Sequence, residues 1–144
     1  MEIGKIAFKK LKCPFNETTI FNVKKFKNCV RFAIGTEHNI LWHYEGKFYY
    51  GGWKNFSNGE GERNGEGVEI VPGRYRFRGN FAEGRRNGYG IMIMENGTIY
   101  EGEWKDGVRH GHGKQEDLDG FAYDGEWKEG KRDGKAKIYR NQAL

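Results

Sequence analysis

Cysteine, proline and long apolar runs are all scarce in this chain, and each scarcity removes a class of answer. Cysteine occurs twice, as Cys13 and Cys29. Neither sits in a CxxC or any other metal-ligand spacing, and two isolated thiols suit a reducing compartment. Proline also occurs twice, against 23 glycines, an excess that argues against long helices. No apolar run approaches the ~20 residues that a membrane-spanning helix needs. The first residues show no secretory h-region, and they lack the Arg-rich, acid-poor pattern of a transit peptide, since Glu2 comes early and the first arginine is Arg31. Without a signal peptide the glycosylation patterns at Asn16-Glu17-Thr18 and Asn96-Gly97-Thr98 are chance matches. The expected address is cytoplasmic, with an organellar one left open.

Aromatic residues make up 15% of the chain beside 31% charge. Disordered chains lack the bulky groups that repay ordering entropy, so rings are being buried somewhere. The net charge of +5 is uneven: residues 1–45 hold eight Lys/Arg and four acids, the remainder 17 bases and 16 acids. Lys5, Lys9, Lys10, Lys12, Lys24, Lys25 and Lys27 could meet an acidic partner or an anionic membrane surface. The plainer reading is solvated lysines on a small cap.

A pentapeptide of the form Tyr-x-Gly-x-Trp recurs. It appears with Tyr49, Gly51 and Trp53, as a variant with Phe77, Gly79 and Phe81, then with Tyr100, Gly102 and Trp104, and finally with Tyr123, Gly125 and Trp127. The last two steps, 77 to 100 and 100 to 123, are both 23 residues. A period of that size signals a solenoid or hairpin array whose units stack because none can fold alone. Within a unit, Tyr100, Gly102 and Trp104 alternate with Glu101 and Glu103, the period of a strand with its rings on one face. Asp106-Gly107, Glu83-Gly84 and Glu129-Gly130 then read as hairpin turns.

The return strands carry Arg-x-Gly-x-Gly, with Gly88 and Gly90, Gly111 and Gly113, and Gly134 followed by Ala136 in a relaxed end unit. Each Gly-x-Gly pair is expected to make room for a ring from its own or the adjoining hairpin. In the first unit Tyr49 stands 28 residues before Phe77, which implies about five inserted residues. They are assigned mainly to the hairpin loop, with Val71-Pro72-Gly73 also lengthening the connection. Residues 1–45 are expected to cap the array of about four repeats in 46–144. In the cap, 29–34 and 40–44 form a degenerate hairpin over the first edge, and short strands are open readings at 6–8 and 20–23.

These units, above all Tyr100 to Gly113 and Tyr123 to Gly134, closely resemble the MORN repeat (membrane occupation and recognition nexus) over roughly residues 46–139. The resemblance implies an all-β fold, an elongated twisted antiparallel sheet of consecutive hairpins. It also implies a non-enzymatic scaffold or interaction module that binds a protein partner in a larger assembly, with cytoskeleton or cilium the leading setting. A peripheral adaptor on anionic phospholipid is the rival, and an accessory subunit of an organellar complex a third reading. Similar repeats precede kinase and methyltransferase domains elsewhere, but no such domain follows residue 139 in this sequence.

Other chemistry is declined on its context. Gly59-Glu60-Gly61 and Gly65-Glu66-Gly67 lack the strand-to-helix setting of a phosphate loop, and no cofactor is expected. His110-Gly111-His112 has a spacing that can grip a metal, yet no third ligand accompanies it. Glu101, Glu103, Asp124 and Glu126 could form paired acids; their repetition points instead to cross-strand pairing with Arg109, Lys131 and Lys135 on a solvated face. No nucleophilic triad is legible. Nucleic acid is not an expected partner, because the repeated rings are needed inside and the repeat region is almost neutral.

Overall fold

Short turns with glycine decide the topology. Glu83-Gly84, Asp106-Gly107 and Glu129-Gly130 all have both residues at positive φ (51° and 72°, 49° and 87°, 51° and 80°), the two-residue turn whose twist matches a hairpin. Between hairpins the chain turns at Pro72-Gly73, Asn96-Gly97 and Asp119-Gly120. Gly97 N–H donates to the Met94 carbonyl (3.0 Å) and Gly120 N–H to that of Asp117 (2.9 Å).

The computed structural model describes residues 20–26, 29–34, 39–44, 46–57 and 61–141. Its strands are β1 (Ile20–Phe26), β2 (Cys29–Ile34), β3 (Asn39–Tyr44), β4 (Lys47–Asn55), β5 (Gly61–Val71), β6 (Tyr75–Ala82), β7 (Arg85–Met94), β8 (Ile99–Lys105), β9 (Val108–Glu116), β10 (Phe121–Lys128) and β11 (Lys131–Arg140). All 11 lie in chain order in one open antiparallel sheet, and no helix occurs among the described residues. Strand spacing of roughly 4.8 Å makes such a sheet about 48 Å across and only about 30 Å along its strands, an elongated ribbon.

The register aligns the glycines. Gly51, Gly67, Gly79, Gly90, Gly102, Gly113 and Gly125 are successive cross-strand partners, bounded by Ile40 in β3 and Ala136 in β11. Directly opposed Cα atoms in an ordinary antiparallel pair lie about 4.5–5.5 Å apart. A Cβ on Gly102 would stand 2.4 Å from the Gly113 Cα, so these backbones pass too close for a side chain between them and glycine is required there.

Two expectations about the first unit need separating. Paired glycines are 16 residues apart in β4–β5 (51 to 67) and 11 apart in the later hairpins (79 to 90, 102 to 113). All five extra residues therefore lie within that hairpin, whose strands end at Asn55 and resume at Gly61. The connection through Val71-Pro72-Gly73 is not lengthened: 67 to 79, 90 to 102 and 113 to 125 all span 12 residues.

Strands β2 and β3 pair with Phe32 opposite Leu41, and β3 pairs with β4, so this hairpin extends the sheet on the side of the first repeat. The segment expected at 20–23 belongs to β1, which contains Lys24 and Lys25. The candidate strand at 6–8 and Lys5, Lys9, Lys10, Lys12 and Lys27 lie outside the described residues.

Candidate interaction surfaces

The two faces of the sheet have different chemistry, and the repeat explains one of them completely. Along β8, Tyr100, Gly102 and Trp104 are buried while Ile99, Glu101 and Glu103 are exposed. Of the eight repeated rings, Tyr49, Phe77, Phe81, Tyr100, Trp104, Tyr123 and Trp127 are buried, with Trp53 partly so. They form one continuous zigzag, Trp53–Tyr49–Phe81–Phe77–Trp104–Tyr100–Trp127–Tyr123. After the first, tilted contact at 6.4 Å, every step is edge-to-face at 5.1–5.3 Å. That geometry brings the positive ring edge to a negative ring face and contributes about 0.5–1.5 kcal/mol per pair beyond burial. Because every second step crosses to the next repeat, the ladder ties the hairpins together.

Polar tips of the rings are also used. Tyr100 Oη donates to the Glu103 carbonyl (2.9 Å) and Tyr123 Oη to that of Glu126 (2.8 Å). Trp104 Nε1 donates to the Gly90 carbonyl (3.3 Å) and Trp127 Nε1 to that of Gly113 (2.9 Å), each time in the preceding repeat.

A row of arginines closes the ladder from above. Arg86 lies 5.4 Å from the Phe77 ring and 5.0 Å from that of Trp104; Arg109 lies 5.4 Å from Tyr100 and 4.8 Å from Trp127. Arg63 stands in the same relation to Tyr49 (5.8 Å) and Phe81 (5.0 Å). Each guanidinium thus touches a ring of its own repeat and one of the next, a cation–π contact strengthened by desolvation. Arg63 and Arg86 share the buried carboxylate of Glu69, to which Tyr75 Oη also donates (3.2 Å). Arg109 donates to Gln115 (2.6 Å).

This corrects the expected pairing of Arg109 with the strand carboxylates, since Arg109 belongs to the ring face. The carboxylates have another task. Each hairpin has a register shift beside its second ring position, and the return strand turns there on a glycine of positive φ: Gly65, Gly88, Gly111 or Gly134. Glu103 accepts from His112 N–H (3.3 Å) and Glu126 from Lys135 N–H (3.1 Å), so these acids cap the bulge. The glycine reading is corrected likewise. Gly67, Gly90 and Gly113 make room for a ring, whereas Gly111 faces Glu103 and Gly134 faces Glu126.

Burial sets the electrostatics of the ladder. It pushes the Tyr49, Tyr75 and Tyr100 hydroxyls up from the usual tyrosine range, Tyr100 to about 12 with Arg109 opposing, and it pulls the Arg109 guanidinium down. A phenol that stays protonated in the fold while the unfolded chain ionises near ~10 stabilises fully below that pH and loses its contribution as pH rises through the folded value. Alkaline titration should therefore show ionisation of these three tyrosines and loss of the β-sheet circular dichroism together, as one steep step between ~10 and ~12. Ionisation of every tyrosine in the ordinary range with the fold intact would contradict the burial.

Matches to the family model for the MORN repeat fall at residues 77–99, 100–120 and 123–142, the three hairpins whose ring, arginine and glycine registers coincide. The chain is a MORN-repeat protein. MORN repeats form interaction and scaffold modules, generally without enzymatic activity of their own. No curated protein matches the chain at a significant level. The unmatched β4–β5 hairpin shares the MORN register, with Arg63 opposite Trp53 as Arg109 is opposite Trp104.

On the opposite face the MORN array leaves side chains free to vary. Ile93 and Ile99 are direct partners across β7 and β8, Ile91 and Tyr89 continue the row, and all four are exposed. Arg76 and Arg78 border this apolar strip on one side, Glu101 and Glu103 on the other. Towards the C-terminus the same face turns polar: His112 pairs with Asp124 (2.8 Å) and Lys114 with Glu116 (2.8 Å). No group of three or more His, Cys, Asp or Glu that could hold a metal ion occurs among the described residues. On the ring face the rings cover the glycine backbone. Shallow depressions open instead on the other face, one beside Tyr50, Gly51, Glu66 and Arg78 and one beside His112, Asp124, Gly125 and Lys137.

Proposed function

We propose that this chain is a non-enzymatic scaffold module that binds a protein partner within a larger intracellular assembly, cytoskeletal or ciliary in setting. The exposed strip of Tyr89, Ile91, Ile93 and Ile99 carries the reading. The repeated work of stacking is done on the ring face, so apolar groups held out on the other face answer no need of the fold and mark an association surface. Its flanking Arg and Glu rows would orient a partner rather than supply most of the affinity. The MORN resemblance supports the assembly setting.

The test compares wild type, an Ile91→Lys/Ile93→Lys variant and a variant with Lys5, Lys9, Lys10, Lys12, Lys24, Lys25 and Lys27 neutralised, by partner pull-down and liposome flotation at low and high salt. Apolar docking should survive moderate salt and fail only in the isoleucine variant. Anionic lipid binding through the lysines would instead weaken steeply with salt. Strong salt-sensitive flotation with no protein recovered would reject the scaffold reading in favour of a membrane adaptor.

A further inference from the structure

Among the described residues, the aromatic and arginine ladders reach their last rung at β10–β11. This strand is the last in the sheet, and all ten of its residues are exposed. Arg132 lies 4.6 Å over the Tyr123 ring, as Arg109 lies over Tyr100, but among the described residues no ring of a following repeat stands against it. Tyr123 likewise has Trp127 as a ring neighbour at 5.2 Å, where Tyr100 has both Trp104 and Trp127. The sheet edge beside them offers unpaired main-chain groups.

We propose that the free edge of β11 is a strand-addition site for an acidic, extended segment of another protein that carries an aromatic residue. The internal interfaces define what such a segment must contain. Where β10 joins β9, Trp127 stands opposite Gly111, Gly125 opposite Gly113 and Tyr123 opposite Gln115. The same register on β11 places a ring opposite Gly134, a small residue opposite Ala136 and an apolar or aromatic group opposite Ile138. An indole in the first place would pack on Tyr123, close the open side of Arg132 and donate Nε1–H to the Ala136 carbonyl, as Trp127 does to that of Gly113.

Charge selects the partner. β11 carries Lys131, Arg132, Lys135, Lys137 and Arg140 against Asp133 alone. Acidic residues alternate with the rings in β8 (Glu101, Glu103) and β10 (Asp124, Glu126); in an added strand they would face Lys135 and Lys137. A second copy of this chain fits poorly. Two β11 strands would bring like charges together, the strand at the other end of the sheet among the described residues, β1, contains Lys24 and Lys25 and no acid, and the strands of suitable sequence are already paired on both sides. This inference rests on the chain being a protein-binding module, but it concerns a surface apart from the Tyr89–Ile99 strip.

The probe is a fluorescently labelled synthetic peptide with the sequence Phe-Ala-Tyr-Asp-Gly-Glu-Trp-Lys of Phe121–Lys128, titrated with the full chain and read by anisotropy. Saturable, salt-weakened binding is expected. Its affinity should fall about tenfold or more with Trp→Ala in the peptide, with Arg132→Ala, or with Lys135→Glu/Lys137→Glu in the protein. The substituted residues are exposed, and circular dichroism checks that each variant folds. The Ile91→Lys/Ile93→Lys variant should bind the peptide as wild type does, which separates failure of this site from failure of the apolar strip. Absence of binding at millimolar peptide, equal binding of a scrambled peptide, or loss of binding in the isoleucine variant would overturn the proposal. So would a concentration-dependent dimer abolished by Lys135→Glu/Lys137→Glu, which would give the edge to a second copy.

Discussion

Trp104→Ala should lower the unfolding free energy by about 3–5 kcal/mol, the range for removing a buried large aromatic side chain. Trp104 is 5% exposed and is held by four groups: Phe77 and Tyr100, both at 5.2 Å, the Arg86 guanidinium at 5.0 Å and the Gly90 carbonyl at 3.3 Å. Three of these make its loss more than a local cavity, because Phe77, Arg86 and Gly90 belong to the preceding hairpin. Two rings on an isolated hairpin cannot repay the entropy of ordering its backbone, so a break at this point uncouples the halves of the array. Urea unfolding monitored by circular dichroism measures the effect; a midpoint unchanged by the truncation would mean that the ring is not interior.

Gly113→Val should destabilise at or above the upper end of the ~1–3 kcal/mol typical of overpacking, although valine favours strands. A Cβ at this position would lie 2.3 Å from Tyr100 Oη and 2.6 Å from its Cζ. The ring has no free direction, as Trp104 and Trp127 both pack against it at 5.2 Å. Gly111→Val should also destabilise, for a different reason: its φ is +62° and the Glu103 carboxylate occupies the space, so a branched residue meets backbone strain. His110→Val and His112→Val should stay within about 0.5–1 kcal/mol, because the His112–Asp124 contact is largely exposed. Similar melting temperatures for all four variants would refute the assignment of the glycines.

Periodicity made most of this fold legible before the structure. The rings at 100, 104, 123 and 127 alternate with acids, and the Asp-Gly and Glu-Gly pairs mark turns, so hairpins and their buried face follow from local rules alone. The arginine row was harder. Arg63, Arg86, Arg109 and Arg132 recur every 23 residues, a signal as regular as that of the rings. Composition rules assign a charged strand residue to solvent, whereas here a flat guanidinium covers ring faces. The task of Glu103 and Glu126 escapes the sequence for a related reason, since their partners are backbone N–H groups at a bulge, and a bulge changes the register that sequence alternation assumes. The apolar strip of Ile91, Ile93 and Ile99 emerges only once strand pairing places these residues side by side. The unfinished edge at β11 depends on knowing which strand has no outer neighbour.

The central claim is that rings of successive repeats hold one another, so that the array is stabilised between hairpins and not merely within them. A double-mutant cycle between Phe77 and Trp104, which meet across β6–β8 at 5.2 Å and 79°, tests it most directly. Phe77→Ala, Trp104→Ala and the double variant should be compared by equilibrium urea unfolding. A coupling of about 0.5–1.5 kcal/mol is predicted, the double variant losing less than the sum of the single ones. Strict additivity, within the ~0.3–0.5 kcal/mol seen for independent sites, would contradict the interlocked ladder.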